Sequence, residues 1–262
     1  MSEAMIAVVT GGASGIGAAC CRDLAKRGHK VVVLDRDMAK AEAVAVEIGG
    51  HALFGDVGDE AGLKAVAARI EAEIGPVGIV VNSAGVLQPP LRPTELPMSV
   101  WDHVVHIDQR GTYLGCVAFA AAMLARRSGS IVNIASIAGS RSMALHAYAP
   151  AKAAVISITR CLAAEWGPAG IRVNSVSPGF TRTPALQEAI DKGERDVTNL
   201  VGSVPMGRLV EPDEIARVVG FVASPEASAL SGIDVPVDCG WMAGTSWHTY
   251  GGFRDPGNGP HA

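Results

Sequence analysis

Short, almost entirely apolar runs alternate along this chain with longer alanine-rich stretches, and this alternation limits the possible folds more than any other feature. The strand-like runs occupy residues 5–10, 30–35, 51–56, 78–85, 130–136, 171–179 and 232–238. Helices are predicted near residues 15–28, 37–48, 59–74, 98–126, 148–166 and 212–223. Strands that are apolar on both faces must be covered on both faces, so the pattern predicts an α/β fold with a parallel sheet between two layers of helices.

Neither a change of composition nor a linker divides residues 1–240, which predicts one domain there and a C-terminal tail over residues 241–262. Two segments interrupt the alternation of strands and helices. Residues 180–210 are polar and contain several threonines, and we expect them to form a lid that orders on cofactor binding. The tail from Trp241 ends in "GGFRDPGNGPHA", and little regular structure is predicted over the whole tail.

Composition argues against several classes of protein. The hydrophobic fraction of 48% and charged fraction of 18% are typical of a globular protein, and the net charge of −4 gives no electrostatic reason to expect nucleic acid or a membrane as a partner. No apolar run approaches the roughly 20 residues of a membrane span, and the N-terminus does not resemble a signal peptide. The five cysteines lack CxxC spacing, which favours reduced thiols in a cytoplasmic protein. The seven histidines form no metal-ligand pattern, so no metal site is expected.

A glycine-rich turn, "TGGASGIG" at residues 10–17, follows the first predicted strand and opens the first predicted helix. Gly11, Gly15 and Gly17 permit a tight turn, close approach of the backbone to a diphosphate, and close packing of helix on strand. Ser14 and Ile16 lie between them, where free N–H groups at the helix N-terminus attract phosphate. A plain glycine turn is the alternative, but the flanking strand and helix favour dinucleotide binding.

Asp35 ends the second predicted strand, about 18 residues past the last glycine of the turn. A carboxylate there accepts hydrogen bonds from the adenosine ribose and repels a 2′-phosphate, which predicts NAD as the cofactor rather than NADP. Arg36 argues the other way, because a guanidinium can hold that phosphate. The phosphate loop contains no Lys or Arg, and on balance the sequence predicts NAD.

Tyr148 and Lys152 stand four residues apart in "YAPAK", so on a helix both side chains face one site. A nearby ammonium stabilises the tyrosinate that a general base requires. Pro150 is tolerated in the first turn of a helix, which predicts a helix start near Tyr148. Ser136 closes an apolar strand, and ligands meet parallel sheets at such strand ends. A surface Tyr–Lys pair is the alternative, but the dinucleotide turn favours catalysis.

With these residues identified, the chain resembles the short-chain dehydrogenase/reductase family from Ile6 to about Gly240. The resemblance rests on "TGGASGIG", "DV" at 56–57, "NSAG" at 82–85, "IVNIAS" at 131–136, "YAPAK" at 148–152 and "SPGFTRT" at 177–183. It implies a Rossmann-type, doubly wound parallel sheet of about seven strands with helices on both faces. It also implies a nicotinamide cofactor and a homodimer or homotetramer.

The resemblance also implies roles for individual residues. Ser136, Tyr148 and Lys152 match the catalytic serine, tyrosine and lysine of the family. The resemblance implies that Asp56 and Val57 contact the adenine of the cofactor. It implies that Asn82, Ala84 and Gly85 line the middle of the cofactor site, and that the nicotinamide end is contacted by Pro178, Gly179, Thr181 and Thr183. The fourth catalytic residue of the family is an asparagine, and here Asp108 stands in its place, which puts the usual water-linked proton relay in doubt.

These observations predict an NAD-dependent oxidoreductase that transfers hydride between the nicotinamide and a small secondary alcohol, such as a polyol, sugar or hydroxy acid. Arg141 and His146 lie in the segment before Tyr148 and are candidate substrate contacts. A catalytically degenerate nucleotide-binding sensor or scaffold is the alternative, and Asp108 is its only support. An epimerase or dehydratase would require a longer chain and a different glycine spacing.

Overall fold

A computed structural model describes residues 5–253, so the last nine residues of the predicted tail lie outside the described part of the chain. Seven parallel strands form one sheet in the order β3-β2-β1-β4-β5-β6-β7. The strands are β1 Ile6–Thr10, β2 Lys30–Asp35, β3 His51–Phe54, β4 Val77–Asn82, β5 Gly129–Ile134, β6 Ile171–Pro178 and β7 Asp234–Val237. This confirms the predicted Rossmann-type, doubly wound sheet.

Helices α1 to α9 connect successive strands, the helices cover the sheet on both sides, and α10 follows the last strand. They are α1 Gly15–Lys26, α2 Met38–Ile48, α3 Glu60–Glu73, α4 Met98–Val104, α5 Thr112–Arg126, α6 Tyr148–Trp166, α7 Pro184–Asp191, α8 Val197–Gly202, α9 Pro212–Ala223 and α10 Trp241–Gly244. None of the helices among residues 5–253 is long and apolar enough to cross a membrane.

The core lies in two layers because each central strand is apolar on both faces. Ala7 and Val9 of β1 pack in a cluster with residues of α1 and α9, whereas Ile6 and Val8 pack in a second cluster with residues of α3 and α5. Strand order reverses at β1, which lies between β2 and β4. The carboxyl ends of β1 and β4 therefore border the crevice where ligands bind in open parallel sheets.

Three segments differ from the simplest expectation. The helix predicted over 98–126 contains a π-helical stretch, Val105–Gly111, between α4 and α5. The segment 180–210 contains α7 and α8, whose N-termini are capped by the Thr183 and Asp196 side chains. The start of the tail is regular rather than irregular, because Asp238 accepts hydrogen bonds from the N–H groups of Gly240 and Met242 and so initiates α10.

Candidate active site

The glycine turn is packed too closely to accommodate a side chain at Gly11 or Gly17. A Cβ at Gly11 would stand 2.7 Å from the Ala84 backbone, and a Cβ at Gly17 would stand 2.1 Å from the Gly11 carbonyl oxygen. Thr10 Oγ1 accepts hydrogen bonds from the N–H groups of Ser83 (3.2 Å) and Ala84 (3.3 Å), which ties the turn to the end of β4. The compact backbone leaves space for a phosphate group beside the N-terminus of α1.

The N-terminus of α1 is free for an anion. Ser14 is the N-cap residue, and its exposed side chain makes no capping hydrogen bond. Thr183 lies against the same turn, with its methyl group 3.5 Å from where a Cβ of Gly15 would stand. The residues predicted to hold a diphosphate, including the half-buried Ile16, therefore surround one uncapped helix end, which fits a dinucleotide.

Asp35 lies at the carboxyl end of β2, where its carboxylate accepts two backbone hydrogen bonds. Oδ2 accepts from Ala13 N–H at 3.1 Å, and Oδ1 accepts from Asp37 N–H at 3.0 Å. The carboxylate is thus held next to the glycine turn, and each oxygen retains a lone pair for a ribose hydroxyl. The exposed Arg36 side chain forms an ion pair with Asp56 at 3.7 Å.

Two other candidate cofactor residues have structural partners that sequence patterns do not reveal. Asn82, at the end of β4, donates to Asn133 Oδ1 at 2.9 Å, and Asn133 donates to Thr159 Oγ1 of α6 at 3.0 Å. Asn82 is buried, so this network links β4, β5 and α6 beneath the crevice. Val57 is also buried and packs in the core cluster on the α3 and α5 side of the sheet.

The candidate nicotinamide end is formed by the chain that leaves β6. Pro178 is the last residue of that strand, and Gly179 is so close to Asp238 that a Cβ would lie 2.7 Å from the Asp238 Cα. Thr181 donates to the Gly179 carbonyl at 2.9 Å and forms an isolated bridge with Val210. These contacts hold the start of the 180–210 segment across the carboxyl end of the sheet.

Lys152 is brought to the end of β5 by a hydrogen bond from its ammonium to the Ile134 carbonyl at 3.1 Å. Its Nζ also lies 5.5 Å from the centre of the Tyr148 ring, one helical turn earlier on α6. Ser136 lies two residues after the end of β5, and its Oγ accepts from Ala138 N–H at 3.1 Å, which orients the hydroxyl. Ser136, Tyr148 and Lys152 therefore lie at one strand end, where a positioned acid–base pair can act on a bound alcohol.

Asp108 lies in the π-helical stretch and is completely buried. Its Oδ1 accepts from Val86 N–H at 2.8 Å, and its backbone carbonyl accepts from Thr112 Oγ1 at 2.8 Å. Oδ2 is buried without a hydrogen-bond partner within residues 5–253. Burial raises the pKa of this carboxyl above its usual value, although the nearby Lys152 opposes the shift.

Gly85 separates Asp108 from Lys152. A Cβ at Gly85 would lie 2.8 Å from Asp108 Oδ1 and 3.6 Å from Lys152 Nζ. The carboxyl and the ammonium thus both border the small space beside Gly85, and they form no ion pair in the described chain. A proton relay that starts at Lys152 would pass through this space.

Arg141 and His146 line an open groove of about 440 Å³ between the segment after β5 and α6. Tyr148, Lys152 and Ser136 are not among the lining residues of this groove. The Arg141 side chain is exposed and donates to the neighbouring Ser140 carbonyl. The structure therefore places the two candidate substrate contacts beside the candidate catalytic residues but along a separate groove.

One residue of the site was missed by sequence reasoning. Gln88 lies in the segment after β4, yet its side chain is buried and accepts hydrogen bonds from Ala147 and Tyr148 at the start of α6. These contacts join positions about 60 residues apart, and no local pattern identifies them.

Comparison with known proteins agrees with this architecture. The family model described as enoyl-(acyl carrier protein) reductase matches residues 11–242. D-threitol dehydrogenase of Mycolicibacterium smegmatis is 39% identical over 91% of this chain and 93% of its own length. Galactitol 2-dehydrogenase (L-tagatose-forming) of Cereibacter sphaeroides is 38% identical over 90% of this chain and 94% of its own length.

Two solved structures share the fold. One, described as ribose-5-phosphate isomerase from Brucella melitensis 16M, has a TM-score of 0.95 and 51% identity, covering 97% of this chain and 98% of that chain. The other, ElxO with NADP bound, has a TM-score of 0.86 and 26% identity, covering 92% of this chain and 100% of that chain. From the site geometry and the extent of these matches, the chain belongs to the short-chain dehydrogenase/reductase family of oxidoreductases.

Proposed function

We propose that this chain is an NAD-preferring dehydrogenase of small secondary alcohols, with polyols as its substrate class. The observation that carries the proposal is the convergence of Tyr148, Lys152 and Ser136 at the end of β5, beside an uncapped glycine turn. The substrate class is supported by the two relatives, whose names specify threitol and galactitol.

The proposed reaction removes a proton and a hydride from one carbinol. The Tyr148 phenolate takes the hydroxyl proton of the substrate, and the Ser136 hydroxyl donates a hydrogen bond to the same oxygen. The glycine turn and Lys152 would hold the nicotinamide cofactor, which would supply the hydride acceptor for the carbon that carries this oxygen, so that a ketone would result. The Lys152 ammonium stabilises the phenolate. It also lies beside Gly85, which follows β4, where we infer that it binds the nicotinamide ribose.

The preference for NAD is inferred from Asp35, whose carboxylate is held in place by the N–H groups of Ala13 and Asp37. A 2′-phosphate beside this fixed negative charge would be repelled. Two observations favour NADP instead. The structural relative ElxO has NADP bound. In this chain, the Arg36 guanidinium follows Asp35 and forms an ion pair with Asp56. We still favour NAD, because Arg36 is exposed and already paired.

The proposal is tested with purified protein, NAD and a panel of polyols, monoalcohols and hydroxy acids, by the absorbance of reduced nicotinamide. We expect turnover with at least one polyol, and a Tyr148→Phe variant should lose nearly all turnover while NAD affinity stays within a few-fold, because only the proton-accepting oxygen is lost. A Tyr148→Phe variant that keeps more than about a tenth of the rate would contradict the role of Tyr148.

A second candidate is suggested by the name of the structure from Brucella melitensis, which is 51% identical to this chain. Isomerisation of ribose 5-phosphate would need no net oxidation and no released cofactor. The control is therefore incubation of the protein with ribose 5-phosphate without added nucleotide, followed by measurement of ketose. Ketose formation that survives Tyr148→Phe would favour the isomerase, whereas turnover dependent on NAD favours the dehydrogenase.

We further propose a cytoplasmic homodimer or homotetramer in which residues 1–240 act as one domain. The five cysteines are all free thiols, which fits a reducing compartment. Large exposed apolar side chains such as Phe221 and Tyr113 suit a surface that is covered by another subunit. Light scattering of the purified protein measures the subunit number directly.

A further inference from the structure

Helix α6 carries Tyr148 and Lys152. Its N-cap residue is Ala147, whose side chain cannot accept a hydrogen bond, so the acceptor must come from another part of the chain. The first N–H groups of any helix lack partners within the helix and need acceptors from elsewhere. Pro150 has no N–H, and Ala149 N–H donates to the Leu145 carbonyl at 2.8 Å. The N–H groups that remain without an acceptor from the adjoining backbone are those of Ala147 and Tyr148.

Gln88 supplies the missing acceptor for both groups. Its Oε1 accepts from Ala147 N–H at 2.7 Å and from Tyr148 N–H at 3.1 Å. The two N–H groups fix the orientation of the amide, because a flipped amide would direct its own NH₂ group at two donors. The side chain is only 3% exposed, so water does not replace this contact.

The other end of the Gln88 amide argues against a role in packing alone. Its Nε2 is buried and has no hydrogen-bond partner in residues 5–253. A buried donor without a partner loses its hydrogen bonds to water, whereas an apolar side chain of similar size would fill the space without that cost. The benefit of a glutamine at this position therefore lies in the acceptor that it gives to α6.

The segment that carries Gln88 is itself anchored. Two residues earlier, Val86 N–H donates to Asp108 Oδ1 at 2.8 Å, and Asp108 is buried in the π-helical stretch. Gln88 is thus held from one side by the sheet and the π-helical stretch, and it holds the first turn of α6 from the other side.

We propose that Gln88 is a positioning residue that fixes Tyr148 for catalysis by accepting hydrogen bonds from the backbone N–H groups of Ala147 and Tyr148. This inference rests on the proposed function of Tyr148 as the proton acceptor. Without Gln88 Oε1, the first turn of α6 loses the acceptor of its Ala147 and Tyr148 N–H groups, and the Tyr148 ring is no longer held in its place near Lys152. A displacement of about 1 Å at a catalytic group can cost up to 100-fold in rate.

Two variants distinguish the effect of losing the hydrogen-bond acceptor at position 88 from the effect of changing the size of the side chain. Gln88→Met keeps the length of the side chain but removes the acceptor, whereas Gln88→Glu keeps an acceptor for both N–H groups. We expect Gln88→Met to lower kcat at least about tenfold with NAD affinity unchanged, and Gln88→Glu to stay within about threefold of the unmodified protein. Leu87→Ala is the control from the same segment, because Leu87 is exposed, and it should change neither quantity.

Amide hydrogen exchange of the peptide spanning 145–152 gives a readout that needs no substrate. The Ala147 and Tyr148 amides should be protected in the unmodified protein and in Gln88→Glu, and exchange at least about tenfold faster in Gln88→Met. If this exchange pattern appears but no alcohol is oxidised, the proposed function is contradicted, whereas the hydrogen bonds from Ala147 and Tyr148 to Gln88 are confirmed.

Three results would overturn the inference. The first is unprotected exchange of the Ala147 and Tyr148 amides in the unmodified protein. The second is a folded Gln88→Met protein with normal amide exchange and normal kcat. The third is a folded Gln88→Glu protein whose kcat and amide exchange are changed as much as those of Gln88→Met. If Gln88→Met does not fold, the exchange of the unmodified protein and of Gln88→Glu still decides the question.

Discussion

Asp108 Oδ1 accepts the backbone N–H of Val86 at 2.8 Å, and this bond is the only hydrogen bond that the Asp108 carboxyl makes in the described chain. The second oxygen is buried without a partner among residues 5–253, and burial raises the pKa of the carboxyl above its usual value of 3.8. The residue that departs from the family pattern is therefore a carboxyl whose ionisation is disfavoured by the fold.

The first prediction concerns stability. Because the Asp108 pKa is raised in the folded protein, the folded state holds this proton to a higher pH than the unfolded chain does. The protonated carboxyl contributes fully to the free energy of unfolding below its unfolded-state pKa. This contribution is lost as pH rises through the folded-state pKa. Asp108→Asn cannot ionise, so its free energy of unfolding in urea should fall less steeply with rising pH than that of the unmodified protein.

The matched control is Asp102→Asn, because Asp102 is an exposed aspartate on α4. Its pH dependence should match that of the unmodified protein. Identical slopes for Asp108→Asn and the unmodified protein would show that Asp108 ionises equally in both states.

A second prediction from the same variant concerns catalysis. A carboxylate that forms at Asp108 as pH rises adds negative charge near Lys152 and so opposes the charge that stabilises the tyrosinate. The rising limb of kcat against pH for alcohol oxidation should therefore move toward acid in Asp108→Asn, with NAD affinity unchanged. Superimposed profiles would mean that Asp108 keeps its proton throughout the working range.

The third prediction tests the space between Asp108 and Lys152. Gly85→Ala would place a methyl group 2.8 Å from Asp108 Oδ1 and 3.6 Å from Lys152 Nζ. Since neither buried side chain can move away easily, we expect kcat to fall at least about tenfold. Gly167→Ala is the control, because nothing lies within 4 Å of a Cβ there. Normal turnover in Gly85→Ala would show that the space takes no part in catalysis.

The fourth prediction concerns the cofactor. Because Asp35 is fixed beside the glycine turn, we expect NAD to bind at least about tenfold more tightly than NADP, which is about 1.4 kcal/mol. Asp35→Ala should narrow this ratio, mainly by improving NADP binding. Calorimetric titration of both nucleotides measures the two affinities, and equal or tighter NADP binding by the unmodified protein would refute the preference.

Local patterns predicted the strands and the glycine turn, because apolar runs and glycine spacings can be recognised among neighbouring residues. The spacing of Tyr148 and Lys152 likewise predicted one helical face, and the structure places Lys152 Nζ 5.5 Å from the Tyr148 ring. The partners of Asp108 and Gln88 were not predictable, because they lie 22 and 60 residues away along the chain. The start of the tail was mispredicted, since one carboxylate, Asp238, caps α10 against the glycine-rich composition that follows.

The first residues of the tail pack against the 180–210 segment that was predicted to form a lid. The Trp241 ring lies edge-on to Phe180 at 5.9 Å between centres, and Gly244 is close to both Pro205 and Phe253. Beyond this contact the aromatic residues are not covered, because Trp247 is 48% exposed and Tyr250 is 83% exposed. Aromatic side chains with this exposure are typical anchors of subunit interfaces.

The last prediction is that a second subunit covers Trp247 and Tyr250 and that this contact supports the substrate pocket. Deleting residues 245–262 should then lower the mass measured by light scattering and raise KM for the substrate, while NAD affinity stays the same because the glycine turn is untouched. Phe54→Ser is the control for loss of an exposed aromatic side chain, since Phe54 is 61% exposed on the edge strand β3, and it should change neither quantity. A truncated protein with the original mass and KM would show that the tail serves neither assembly nor the pocket.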